Sequence, residues 1–146
     1  LMVDLGHTMI MTRLLSGEFI NYKQIIPSEF DTNVIINKEQ FKNSLDRASI
    51  LSRGEKNNLV KIDIKENLLY LISASEDGAS LKESISINLV GKDMTIAFNV
   101  RYLLDCMKAV SDEFIKINLN TPVNPCVITP CDSDKYLYLI LPVRIV

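Results

Sequence analysis

Two stretches of this chain, 62 residues apart, follow one plan. Asn33 to Ile36 reads as a short strand, and Asn37-Lys38-Glu39-Gln40 then opens a helix. Asn37 stands at the N-cap and Gln40 at N3, as in a capping box, where each side chain satisfies an orphan backbone donor of the first turn. Phe41, Leu45, Ala48 and Ser52 follow at i, i+4, i+7 and i+11, the spacing of one buried helical stripe. The second stretch begins with a strand from Met94 to Phe98, and Asn99 again occupies the cap position. Val100, Leu103, Leu104, Met107 and Val110 form its stripe. A shift of 62 lays Asn37 on Asn99, Phe41 on Leu103, Leu45 on Met107 and Ala48 on Val110.

Each helix is followed by strand patterns. After the first come Leu59 to Ile64, which alternates, Leu68 to Ser73, nearly all apolar, and Leu81 to Val90, which alternates again. Polar turns at Lys65-Glu66-Asn67 and Glu76-Asp77-Gly78 separate them. After the second come Phe114 to Leu119, Cys126 to Thr129 and Tyr136 to Val143. Two β-α-β-β-β units of about 60 residues each predict an α+β fold with two helices packed on antiparallel sheets. Ahead of them, Leu1 to Leu15 reads as strand and Ser16-Gly17 as a turn. A connector from Glu18 to Thr32 carries the breakers Pro27 and Asp31.

At 146 residues, with 47% apolar and 23% charged residues, the chain has enough material for one core and lacks the signature of disorder. No apolar run approaches the roughly 18 residues that a membrane-spanning helix requires. A formal charge of −2 argues against a generally basic nucleic-acid binder but leaves room for a local basic face. Cys106, Cys126 and Cys131 are odd in number and lack C-x-x-C spacing, so a reducing compartment, the cytoplasm, is expected. With one histidine, His7, they do not make a zinc site, and no cofactor is expected. Cys106 as a nucleophile would need a base, and the only histidine lies in the leading segment. Neither a Gly-rich phosphate loop nor G-x-S-x-G occurs, so no enzyme motif is present. The opening Leu-Met-Val-Asp does not resemble a natural translation start, and a fragment of something longer is expected.

Four segments in register carry a resemblance. They are Thr12-Arg-Leu-Leu-Ser-Gly-Glu-Phe-Ile-Asn-Tyr-Lys-Gln-Ile-Ile-Pro27, Arg47-Ala-Ser-Ile-Leu-Ser52, Phe98-Asn-Val-Arg-Tyr-Leu-Leu-Asp105 and Tyr138-Leu-Ile-Leu-Pro-Val-Arg144. Together the chain resembles the bacterial DNA polymerase III beta subunit, the sliding-clamp family. The resemblance implies the DNA clamp fold. In that family three double-unit domains form a protomer, and two protomers close as a homodimer ring around duplex DNA. Residues 22–146 would be the third domain, and residues 1–21 the trailing strand or strands of the second domain plus a linker.

What the resemblance implies for function is a processivity factor with no catalytic residue of its own. A polymerase holoenzyme lends such a subunit its transferase label, but no residue here could carry that chemistry. The implied partners are duplex DNA, contacted without sequence reading, and a polymerase catalytic subunit, the clamp loader and repair proteins. The proteins dock through short linear motifs in a cleft between the second and third domains. The third-domain side of that cleft falls on Ile20, Gln24, Ile25, Asn99, Tyr102, Val123, Pro125, Leu139, Ile140, Leu141, Pro142, Val143, Arg144 and Ile145. Leu139 to Ile145 place dense apolar surface near the chain end, and Arg144 can meet a partner's carbonyls or carboxylate.

Two departures from the family are visible. Ile20 stands where members often have Pro, and Gln24 where they often have Arg. The second-domain half of the cleft, a Thr-Asp-Gly-His-Arg-Leu type stretch, is missing, and His7 is not its histidine. Ile50 and Leu51 occupy protomer-interface positions, and Ile50 lies about 180° from Phe41 on the helical wheel at about 100° per residue. Lys38, Lys42, Arg101 and Lys108 flank the two stripes and are the candidate DNA-facing residues, diluted by Glu39, Asp46 and Asp105. The competing reading is an unrelated α+β peptide-binding module with a C-terminal apolar groove.

Overall fold

The structure is a computed structural model that describes residues 1–52, 58–75 and 77–144. Its first elements are a hairpin of β1 (Met2–Asp4) and β2 (Met9–Met11). The expected single strand over Leu1 to Leu15 is therefore folded back on itself. Gly6 sits at φ +83° in the bend, and its N–H donates to Asp4 Oδ1 at 2.8 Å. A short 3-10 turn follows at Tyr22–Gln24 within the connector.

The two units then appear in the expected order. The first has β3 (Thr32–Asn37), α1 (Lys38–Leu51), β4 (Leu59–Lys65), β5 (Leu68–Ala74) and β6 (Ser80–Ser86). β7 (Asn88–Gly91) leads to the second, with β8 (Met94–Asn99), α2 (Val100–Ala109), β9 (Phe114–Leu119), β10 (Cys126–Pro130) and β11 (Tyr138–Ile140). Both helices start where the asparagines place them. Asn37 Oδ1 accepts from Gln40 N at 3.0 Å, and Asn99 Oδ1 accepts from Arg101 N at 2.9 Å. Such a cap stabilises by about 1 kcal/mol. The Gln40 half of the expected capping box is not among the hydrogen bonds of the described residues. Asn37 instead lies in the β ladder, opposite Phe114.

The units exchange their first strands. β8 pairs with β4 in a four-stranded sheet of order β6-β5-β4-β8, and β3 pairs with β9 in a five-stranded sheet of order β11-β10-β9-β3-β7. The exchange extends to the helix starts. Lys38 N donates to Glu113 O at 2.8 Å, just before β9, and Val100 N donates to Asn58 O at 2.9 Å, just before β4. Each unit thus satisfies an orphan first-turn donor of the other. α1 and α2 lie side by side, and between them they touch strands of both sheets. Phe41, Leu45 and Ala48 from α1 and Val100, Leu103 and Met107 from α2 are buried in one core.

Two strand expectations change. Leu81 to Val90 is not one strand: it breaks at Ile87, so that β6 ends one sheet and β7 edges the other. The cause is Asn67, at φ +59° in the β4–β5 turn. Its carbonyl accepts from Ile87 N and its side-chain Oδ1 from Leu89 N, both at 3.0 Å, which draws the chain across. Gly91 then lets β7 pass Asp31 closely, because at φ +114° a Cβ there would lie 1.9 Å from Asp31 O. Tyr136 to Val143 is also shorter than expected, with only Tyr138–Ile140 paired to β10. Pro142 has no N–H to give a ladder, and Val143 N instead donates to Ala97 O of β8 at 2.8 Å.

One ion pair fastens α1 to the edge strand β6. Arg47 donates through Nε and Nη2 to the two oxygens of Glu83, the latter at 2.6 Å, in a fork geometry. The Arg47 bond holds the Glu83 carboxyl below its ordinary value. Its stabilisation is therefore full above the unfolded carboxyl's pKa of about 4.3 and is lost as pH falls through the lower folded value. Glu83→Gln should cost about 1 kcal/mol at pH 7. Urea unfolding at pH 7 and at pH 3 checks this, since the gap between the two chains should narrow at the lower pH.

Candidate functional site

The chain end leaves its sheet after Ile140 and runs beside β8, and two cavities lie in series along it. The larger, about 450 Å³, is an open hollow lined by Tyr102, Asp105 and Cys106 of α2 and by Tyr138 to Leu141. It forms because α2 places three residues on one face at i, i+3 and i+4. Leu141, released from the ladder, remains 62% exposed at the rim, and Tyr102 is 60% exposed. The smaller cavity, about 230 Å³, is lined by Ile96, Ala97, Pro122, Val123 and Arg144.

The structure thus brings Tyr102, Leu139, Ile140 and Leu141 together at one cavity and Val123 and Arg144 at the other. Ile140 is a core residue, opposite Cys126 in the ladder, and forms only the floor. Asn99 is engaged as the α2 cap through its side chain. Pro125, Pro142 and Val143 are half-buried beside these cavities' lining residues in sequence, and Val143 is held by its bond to Ala97. Ile20, Gln24 and Ile25 are exposed on the connector and line neither cavity. Ile145 lies outside the described residues.

The connector is nonetheless tied to the same end of the domain. Asn120 Nδ2 donates to Glu29 O at 3.1 Å, and Ile26, Pro27 and Phe30 are half-buried.

Sequence reasoning missed Asp105, Cys106 and Tyr138 at the larger cavity, and Ile96, Ala97 and Pro122 at the smaller. For Asp105 and Cys106 the readable signal was their helical spacing from Tyr102 and, for Tyr138, its place one step before Leu139 in the tail. Tyr138 is itself held by a neighbour. The Tyr136 ring packs on it at 5.4 Å between centroids, and Tyr136 Oη donates to Asp112 Oδ2 at 2.7 Å.

The two helices expose a second region, a groove of about 420 Å³ between Asp46 and Ser49 on one side and Arg101, Asp105 and Lys108 on the other. Lys42 pairs with Asp46 at 3.6 Å and Lys108 with Asp105 at 3.1 Å. Lys38 pairs with Glu39, and Arg101 is exposed. The helices together hold five basic and three acidic residues, a local +2 in a chain of −2. Ile50, near the end of α1, is 63% exposed and Leu51 is half-buried.

The family model described as DNA polymerase III beta subunit, C-terminal domain, matches residues 23–144. The chain belongs to the DNA polymerase III beta subunit family. The beta sliding clamp of Synechococcus elongatus is 33% identical over 142 residues, covering 96% of this chain and 38% of that protein. The clamp of Streptococcus pneumoniae is 35% identical over 135 residues, covering 91% and 36%. The crystal structure of the beta subunit from Thermotoga maritima superposes with a TM-score of 0.87 at 32% identity, over 92% of this chain and 36% of that one. The chain thus spans just over a third of the length of these relatives, and its two-helix, two-sheet architecture is that of the clamp structures.

Within this beta-subunit domain Cys106 and Cys126 are set apart from nucleophilic chemistry by burial. Cys106 is buried, which pushes its thiol up to about 12, and Cys126, fully enclosed, is pushed up further. At pH 8 a thiol with a pKa of about 12 is on the order of 0.01% thiolate. Iodoacetamide should therefore label Cys106 far more slowly in the folded chain than in urea. Equal labelling rates, read by peptide mass spectrometry, would contradict the burial argument.

Proposed function

We propose that residues 22–146 are the third domain of a sliding clamp, that residues 1–21 are trailing strands of its second domain plus a linker, and that the longer protein is a cytoplasmic, non-catalytic processivity factor. In this reading the ring of two protomers encircles duplex DNA, and the cavities along the chain end receive a short apolar segment of a polymerase, clamp loader or repair protein. The observation that carries it is the larger cavity, where the exposed rings and methyl groups of Tyr102 and Leu141 flank an apolar hollow. A hollow of this size accepts one large side chain, and exposed aromatic and leucine surface beside it is the composition of a peptide anchor site. Ile50 and Leu51 fit a protomer contact because an exposed isoleucine at a helix end gains from being covered.

The apolar segment acetyl-Gln-Leu-Ala-Leu-Phe-Gln-amide is a suitable probe. Tyr102→Ala and Leu141→Ala should each weaken its binding about tenfold, which corresponds to about 1.4 kcal/mol. The chain should also bind it more weakly than the full-length S. pneumoniae clamp, because the other half of the cleft belongs to a different domain. Calorimetry tests both statements. Equal affinities for the chain and the full clamp would favour a self-sufficient peptide-binding module instead.

The mixed-charge helix face supports DNA contact that is loose. A ring holds DNA by topology, so its inner face needs only to tolerate phosphates, and tight contacts would oppose sliding. The isolated chain should therefore bind a short linear duplex no more tightly than about 10⁻⁴ M at physiological salt, as read by fluorescence anisotropy. Micromolar binding would overturn the encircling reading.

A further inference from the structure

The two cavities carry opposite charges. Asp105 is the one carboxylate lining the larger cavity, among Tyr102, Cys106, Tyr138 and the leucines. Among the described residues, Arg144 is the one ionisable side chain lining the smaller. Both cavities share the chain end as a wall, so the charges follow one another along it. From Leu139 to Arg144 there are five extended steps, at most about 17 Å, which a segment of five or six residues spans.

We propose that Asp105 and Arg144 give the cleft a charge order, selecting a segment with a cationic side chain beside the anchor in the larger cavity and an anionic group at the smaller one. The inference rests on the peptide-cleft reading above. Asp105 already meets Lys108 at 3.1 Å, but both side chains are more than half exposed, and Lys108 lines the helix groove rather than the cavity. An exposed pair of that kind is weak, so a cation brought by the ligand competes with Lys108 for the carboxylate. Arg144 is exposed and offers a planar fork suited to a carboxylate.

The test is a nuclear magnetic resonance titration of the chain to millimolar peptide at low salt. It compares acetyl-Lys-Leu-Ala-Leu-Phe-Glu-amide with the neutral acetyl-Gln-Leu-Ala-Leu-Phe-Gln-amide, and with the two peptides carrying one charge each. The charged peptide should bind about fivefold tighter than the neutral one, with the gap shrinking as salt is added. Asp105→Asn should remove the part of the gap due to lysine, and Arg144→Gln the part due to glutamate. Equal binding of the charged and neutral peptides overturns the charge order and leaves the cleft standing, as does a gap that neither substitution narrows. Absence of any shift at Tyr102 and Leu141 with every peptide overturns the cleft reading, and the charge order with it.

Discussion

The exchange of first strands between the two units is the constraint on which the rest of the domain depends. β3 completes the sheet of the second unit and β8 that of the first. The helix that follows each strand is then anchored by its own asparagine cap and by a carbonyl of the opposite unit, Glu113 O for α1 and Asn58 O for α2. Neither unit could satisfy its helix start or close its sheet alone. Because both exchanges occur at the helix N-termini, α1 and α2 are brought alongside one another and their stripes merge into one core.

That arrangement also accounts for the availability of the chain end. β8, once transferred to the β4 sheet, is its last strand, and the segment after β11 passes beside it with Val143 bonded to Ala97. Pro142 prevents the tail from continuing as a ladder strand. The apolar residues at its start are consequently shared between core and surface: Ile140 is enclosed at 6% exposure, while Leu141 one step later is open. The site arises where strand pairing stops, and so it needs no separate loop to build it.

Features set by local periodicity were legible in the sequence. The Asn37 and Asn99 caps and the buried stripes depend on residues within a few turns, and the 62-residue echo is two such local patterns laid on one another. The break at Ile87 was not legible, because alternation runs straight through it and the cause is Asn67, twenty residues away on another hairpin. The site divided in the same way. Tyr102 and the tail were named through resemblance, and the structure places them at one cavity. In the sequence Asp105 reads as a diluting charge on a helix face, since sequence alone does not show that one side chain borders both the helix groove and the apolar cavity.

The charge distribution has a related physical meaning. A domain of net −2 repels phosphate over most of its surface, yet its paired helices carry a local +2. Three of the four lysines and arginines expected to face DNA are already paired with carboxylates on their own helix, Lys38 with Glu39, Lys42 with Asp46 and Lys108 with Asp105. Of these, the Lys108–Asp105 pair is exposed on both sides and exchanges readily, so phosphate passing there would meet a cation that can be borrowed and returned rather than a fixed contact. For a protein held on DNA by a closed ring, that is the favourable condition. In the proposed ring, retention would come from topology, and each contact would then need to be weak enough that its loss does not set the rate of movement.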